Sequence, residues 1–184
     1  MIIAPSILAG DFSKFARELK RVEKTGTDWV HLDIMDGHFV PNLTFGPQVV
    51  ADARPHSDLF FDTHLMCSKP EILLEPFAEA GANLITVHVE LEDRVSSLLW
   101  KIRSLEKQVG LAVNPPTAID KVKPFLDKVD LLLAPWGTPF HFAVAGVLDR
   151  YKFPMVGNSA ASVQLRELKA GYIWFPTSAI PDRL

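Results

Sequence analysis

Apolar positions along this chain fall into short runs rich in β-branched and aromatic residues, separated by longer stretches in which apolar and charged residues recur at helical spacing. Eight runs stand out: IIAPSIL (2–8), DWVHLDI (28–34), LFFDTHLM (59–66), NLITVHV (83–89), VGLAVN (109–114), VDLLLA (129–134), PMVGN (154–158) and YIWFP (172–176). Their length and composition predict strands. Between the first two, Phe12, Phe15, Ala16, Leu19 and Val22 form an apolar stripe with charge opposite, predicting a helix over Phe12 to Lys24. Asp11 and Ser13 offer capping oxygens at its start, and Gly26 offers a stop. Further helices are predicted over Pro47 to Ala53, Pro70 to Ala80 (closed by Gly81), Glu92 to Gln108 and Thr117 to Leu126.

Strands that alternate with helices pair in parallel, because each helix is the crossover that returns the chain to the same edge. Two α/β architectures satisfy this pattern: a (βα)₈ TIM-barrel-like closure of eight parallel strands, or an open doubly wound parallel sheet. No glycine-rich dinucleotide fingerprint follows the first run, which favours the barrel. The chain, residues 1–184, is expected to be a single domain. Its last helix is barely begun at Ser178 to Leu184, so one flank of the barrel is expected to be bare or covered by a second copy of the chain.

The runs are not purely apolar. Ser6, then His31 and Asp33, then Asp62 and His64 interrupt them, the last two pairs at a spacing of two, which puts each pair on one side of its strand. A buried parallel strand with only a structural role is a continuous run of Val, Ile and Leu. Polar groups near the C-terminal ends of barrel strands face the mouth, where sites are built. The stretch HLDIMDGHFVPN (31–42) is therefore the expected centre of the chemistry. His31, Asp33 and His64 supply two imidazoles and one carboxylate from separate rigid strands, a donor set suited to a divalent cation with positions left open. Met35 and Met66 lie beside them as a candidate apolar lid. His88 is read as structural or as support for a ligand. Asp36 and His38 are read as turn residues around Gly37.

Charge narrows the partners. A net charge of −3, with basic residues spread among acids, provides no basic face for nucleic acid, although a small anion needs only local charge. No apolar run approaches a membrane span, and the lone Cys67 with no recognisable leader points to a cytoplasmic protein.

The segments APSILAGDF (4–12), HLDIMDGHFVPNLTFGP (31–47), DTHLM (62–66), AGANLITVHVE (80–90) and VGLAVNPPT (109–117) resemble ribulose-phosphate 3-epimerase, densely from Met1 to about Leu133. The resemblance implies a (βα)₈ barrel that interconverts ribulose 5-phosphate and xylulose 5-phosphate, a small phosphorylated sugar as substrate, and zinc, or alternatively manganese or iron. Ser6, His31, Asp33, Met35, His64 and Met66 match site positions of that family, with Asp33 as a base and a ligand together. Inverting a carbon beside a ketone means removing its proton, stabilising an enediolate and returning a proton to the opposite face, which takes two flanking acids.

In that family the second acid comes from the seventh strand in an Asp-Gly-Gly context, and glycine-rich loops after strands six and eight hold the phosphate. Here the seventh run is PMVGN, without an acid, and no such loops follow. The tail from about residue 134 instead resembles βα units of a type I periplasmic binding protein of the amino-acid-transport kind, whose turns would place Trp136, Thr138, Ser159 and Ser162 near a ligand. The expectation is a constructed chimera, 1–133 epimerase-like and 134–184 binding-protein-like, with weak or absent turnover. The alternatives are a non-catalytic scaffold that keeps a vestigial metal site and, further off, an amino-acid-binding fragment.

Overall fold

A computed structural model of the chain describes residues 4–133, 150, 155–156 and 173–174. Seven strands, β1 (Trp29–Met35), β2 (Phe60–Met66), β3 (Leu84–His88), β4 (Gln108–Ala112), β5 (Leu131–Leu133), β6 (Met155–Val156) and β7 (Ile173–Trp174), form one sheet. They lie side by side in chain order, all parallel. Among the described residues, the first of the eight runs contributes a parallel bridge from Ser6 to His31 of β1 before the chain turns into a 3₁₀ helix, Ile7–Ala9. An open doubly wound sheet reverses its strand order at a switch point. This order never reverses, and the fold is a TIM-barrel-like α/β arrangement of parallel strands.

Register explains the core. His31 lies beside Asp62 and Asp33 beside His64, while Asp62 and His64 lie beside Leu84 and Thr86. Side chains of the same parity thus share a face across the sheet. One face carries Val30, Leu32, Ile34, Phe61, Leu65, Ile85, Val87, Val109, Leu111 and Leu132, packed against the helices in the larger apolar cluster. The opposite face holds a second cluster of Leu84, Ala112, Leu131 and Leu133, closed from below by Trp29 and Phe60, whose rings stack at 4.1 Å. Both faces are therefore buried, as a barrel wall demands.

The helices α1 (Phe15–Glu23), α2 (Pro47–Ala53), α3 (Leu74–Glu79) and α4 (Val95–Ser104) cover the outer face. α2 has the predicted bounds. The helix expected from Phe12 starts with a 3₁₀ turn, Phe12–Lys14, on which Asp11 accepts a hydrogen bond from the Ser13 amide, and the one expected from Pro70 likewise starts as 3₁₀, Pro70–Ile72. Two expectations are corrected. The segment predicted over Glu92 to Gln108 is shorter as a helix, because Glu92 takes φ 55° at its start and Glu106 takes φ 59° at its end, after which Gln108 already belongs to β4. Thr117 to Leu126 yields a 3₁₀ segment, Ile119–Phe125, instead of an α-helix; Pro124 inside it has no amide hydrogen to give.

Among the described residues no helix is long and apolar enough to cross a membrane. The expected truncated helix at Ser178 to Leu184, and with it the flank proposed for a second copy, lies outside the described residues, as do Trp136, Thr138, Ser159 and Ser162.

Candidate active site

β1 ends where the chemistry begins. Thr44 clasps its last turn, donating from Oγ1 to the Asp33 carbonyl (2.8 Å) and accepting from the Met35 amide (3.0 Å). Asp36 then organises the loop: Oδ1 accepts from the amides of His38 and Phe39, and Oδ2 accepts from the amide and hydroxyl of Ser68, both at 2.7 Å. The turn role read for Asp36 holds and gains a reach across to the end of β2. These hydrogen bonds outweigh its burial and hold its carboxyl well below the usual range. His38 turns its ring back onto the Asp36 carbonyl and stays exposed.

The strands bring His31, Asp33 and His64 together as the only such group of three among the described residues, with one donor atom from each within 4.8 Å of the others. All three are buried. Asp33 Oδ1 is the meeting point, 3.2 Å from His31 Nε2 and 3.2 Å from His64 Nδ1. Its other oxygen, Oδ2, accepts from Ser6 Oγ at 2.5 Å, which places Ser6 on the carboxylate. Burial works against the charge on Asp33, but His31 and His64 outweigh it, and the carboxyl is held far below its ordinary range.

Each imidazole is oriented by a second partner. His31 Nδ1 donates to Asp62 Oδ2 at 2.6 Å, in a pair that is 6% and 1% exposed respectively. Burial would lower the His31 pKa, yet Asp62 and Asp33 together raise it well above its ordinary value. Its Nε2, which faces Asp33, has no aligned hydrogen-bond partner. His64 behaves oppositely: burial, with His88 and His31 nearby, lowers it to about 4 despite Asp33, so it is neutral at neutral pH. His64 Nε2 lies 2.8 Å from His88 Nε2, and His88 Nδ1 lies 3.0 Å from Glu90 Oε2.

A cavity of about 590 Å³ opens over these groups. Ser6, Asp33, Met35, His64 and Met66 line it, as do His88, Leu8, Ala9, Val113, Asn114 and Pro115. Met35 and Met66 are register partners at the ends of β1 and β2, on the wall next to the ligand atoms. Of the expected site residues only His31 is absent from the lining, lying one layer deeper, where its Nε2 alone is aimed at the cluster. Sequence reasoning passed over Asp62 as a partner and gave Glu90 and Asn114 no role.

The donor set fits a divalent cation. Two imidazole nitrogens and a carboxylate oxygen converge, one nitrogen lacks any other aligned partner, and a carboxylate behind His31 gives the arrangement by which metal-bound imidazoles are usually oriented.

Residues 2–138 match the family described as "Ribulose-phosphate 3 epimerase family". The ribulose-phosphate 3-epimerase of Rhodobacter capsulatus is 45% identical over 130 residues, 71% of this chain and 57% of that protein. That of a Synechocystis species is 44% identical over 135 residues, 72% of this chain and 59% of that protein. The chain thus spans less than two thirds of the length of these curated relatives. Among solved structures, KGPDC from Streptococcus mutans (TM-score 0.70, 13% identical, 94% of this chain and 85% of that one) shares the fold. So does 3-keto-L-gulonate-6-phosphate decarboxylase from Vibrio cholerae (TM-score 0.69, 12% identical, 95% and 86%).

Proposed function

Because the chain belongs to the ribulose-phosphate 3-epimerase family, we propose that its site takes a small phosphorylated ketose of the ribulose 5-phosphate type and supports metal-assisted proton transfer at the carbon next to the ketone. The observation that carries this reading is the convergence of His31 Nε2, Asp33 Oδ1 and His64 Nδ1 at the floor of an open cavity. These three residues would hold a divalent cation. Two nitrogens and one oxygen suit zinc, with manganese or iron as alternatives. When bound, the cation supplies positive charge that lowers the cost of the enediolate.

Asp33 divides its labour. Oδ1 faces the histidines, while Oδ2, held by Ser6, is the oxygen turned to take a proton from substrate. Met35 and Met66 keep that side of the cavity apolar, which strengthens charge interactions within it. One feature favours slow turnover: the seventh run, whose strand is β6, contains no acid to return the proton. Loss of one of two acid/base groups commonly costs about 10²–10⁴ in rate. On the same reading, residues 134–184 are binding-protein-like in sequence and follow a family match that spans residues 2–138.

A coupled assay with added zinc or manganese tests the reading. Slow, metal-dependent conversion of ribulose 5-phosphate that disappears in His64→Ala, together with loss of bound metal in elemental analysis, is the expected result. Unchanged metal content in His64→Ala overturns the ligand assignment, and turnover at the rate of full-length family members overturns the proposed impairment. Metal uptake with no conversion at all favours the non-catalytic scaffold.

A further inference from the structure

Behind His64 runs a line of polar contacts that the proton-transfer chemistry does not use. His64 Nε2 meets His88 Nε2 at 2.8 Å, and His88 Nδ1 meets Glu90 Oε2 at 3.0 Å. Both rings are buried, 5% and 4% exposed, and stand nearly parallel, with their planes 23° apart and centroids 5.0 Å apart, while Phe39 packs on the far one at 4.7 Å. Glu90 is itself held in place, since its second oxygen, Oε1, accepts from the Asn114 amide at 2.8 Å. Asn114 and Pro115 belong to the cavity rim. One carboxylate thus braces a buried imidazole and the loop after β4 together.

Proton counting decides what this line does. Two imidazole nitrogens at hydrogen-bond distance share one proton, so one donates and the other accepts. Glu90 as a carboxylate only accepts, which puts the proton of a neutral His88 on Nδ1 and leaves the lone pair on Nε2. With a cation on its Nδ1, which lies 3.2 Å from Asp33 Oδ1, His64 would carry its proton on Nε2 and donate it to that lone pair; without one, Nδ1 donates to Asp33 instead. The line thus offers an acceptor for the proton that His64 must carry on Nε2 when Nδ1 is a ligand.

We propose that Glu90 and His88 are positioning residues which, through the Glu90–His88–His64 line, accept the proton that His64 carries on Nε2 when its Nδ1 holds a cation, and so favour the ligand form of His64. This rests on the metal reading above and gives it a cause: β3 and the segment after it supply no ligand, but they select the form of a ligand that β2 supplies. The same device, carboxylate behind imidazole, serves His31 directly through Asp62. His64 receives it at one remove, through a second ring. Removing such support commonly costs about 10–100-fold in metal affinity.

The test is zinc affinity, measured by chelator competition on the full chain, in wild type, His64→Ala, His88→Leu and His88→Gln, together with ¹⁵N imidazole NMR of the zinc-loaded wild type. His88→Leu removes the acceptor facing His64 Nε2, whereas the side-chain oxygen of glutamine in His88→Gln can still accept there. The expected results are zinc binding in wild type, its loss in His64→Ala, a fall of about 10–100-fold in His88→Leu and recovery of most of that fall in His88→Gln. The NMR spectrum should show His64 protonated on Nε2. Both variants delete the same ring, so a purely structural role for His88 would make them equally weak, and that equality overturns the proposal. Wild-type affinity in His88→Leu overturns it too, as does a His64 proton on Nδ1, a measurement that requires no variant to fold. Failure of the wild type to bind zinc removes the metal reading itself. Binding that is lost in His64→Ala but indifferent to His88 removes only the positioning role.

Discussion

Gly110 is the position where the close packing of the barrel interior can be tested most directly. It sits in β4 opposite Thr86 of β3, on the face that also carries His64 and His88. A Cβ added there would overlap Thr86 Oγ1 and stand 2.9 Å from Thr86 Cβ and 3.2 Å from Leu84 Cδ2. Carbon atoms pack without strain at about 3.5–4.0 Å. Gly110→Ala therefore demands shifts of roughly half an ångström in a wall where Leu84 is fully buried and Thr86 is 1% exposed. The threonine hydroxyl has no hydrogen-bond partner and could swing aside, but rotation leaves Thr86 Cβ itself 2.9 Å away. Overpacking of this kind costs about 1–3 kcal/mol, which for a chain of this size lowers Tm by roughly 2–12 °C. The assay is a thermal melt followed by circular dichroism on Gly110→Ala, Thr86→Ala and the double variant. Thr86→Ala alone should be close to neutral, since a buried unpartnered hydroxyl leaves along with a methyl group. In the double variant at least half of the Gly110→Ala loss should return, as a coupling of about 1 kcal/mol. A Gly110→Ala protein as stable as wild type, or losses that simply add, would refute the register and packing assigned to β3 and β4.

Other outcomes follow from single features. Glu106, exposed, closes α4 with φ 59°, while the Lys107 amide reaches the Ile102 carbonyl and the Glu106 amide the Arg103 carbonyl, the pattern in which glycine is favoured; Glu106→Gly should gain about 0.5–1 kcal/mol, read as a higher Tm. Acid should destabilise the fold through Glu90: burial raises its carboxyl, but hydrogen bonds from His88, Thr117 and the Asn114 amide outweigh that and bring it from 4.5 to about 2. Between those values the unfolded chain binds the extra proton, so this contribution is complete above pH 4.5 and disappears toward pH 2, which denaturant melts across that range should show. His64, lowered to about 4, adds a loss from its ordinary 6.5 downward, whereas the contribution of His31, raised above its ordinary value, is complete below 6.5 and is lost only as pH rises through its folded value. Burial pushes the Cys67 thiol up to about 12, with Asp36 adding to the shift, so a thiol reagent should label it only as fast as the protein opens, and a rate equal to that of a free thiol would contradict its placement.

What could be read from the chain before its structure, and what could not, divides along physical lines. Alternation within one strand is a local property, so the period-two placement of His31 with Asp33, and of Asp62 with His64, was enough to bring three candidate ligands to one face. Which residue of one strand meets which residue of the next is set by register, and no single strand encodes that. The pairing of Asp62 with His31, and of His88 with His64, therefore appears only in the folded sheet. A trace of it was available, since Leu84, Thr86 and His88 continue the same alternation, and Glu90 lies two residues further on. Helix ends were legible where proline or glycine marks them, as at Pro47 and Gly81. They were misjudged where a glutamate takes positive φ, at Glu92 and Glu106, or where Pro124 turns an amphipathic stretch into 3₁₀ structure.

The order of the sheet carries a consequence for synthesis. Every strand pairs with its neighbours in sequence, and each residue named in the candidate centre, from Ser6 through His31, Asp33, Asp62, His64, His88 and Glu90 to Asn114, lies within the first 114 positions. As the chain leaves the ribosome, β1, β2 and β3 can dock one after another, and both braced imidazoles are in place before β5 has been made. A cation caught at that stage would tie together the Ser6 segment, β1 and β2 while the rest of the wall is still missing. The later strands supply none of the three donor atoms that the described residues bring together.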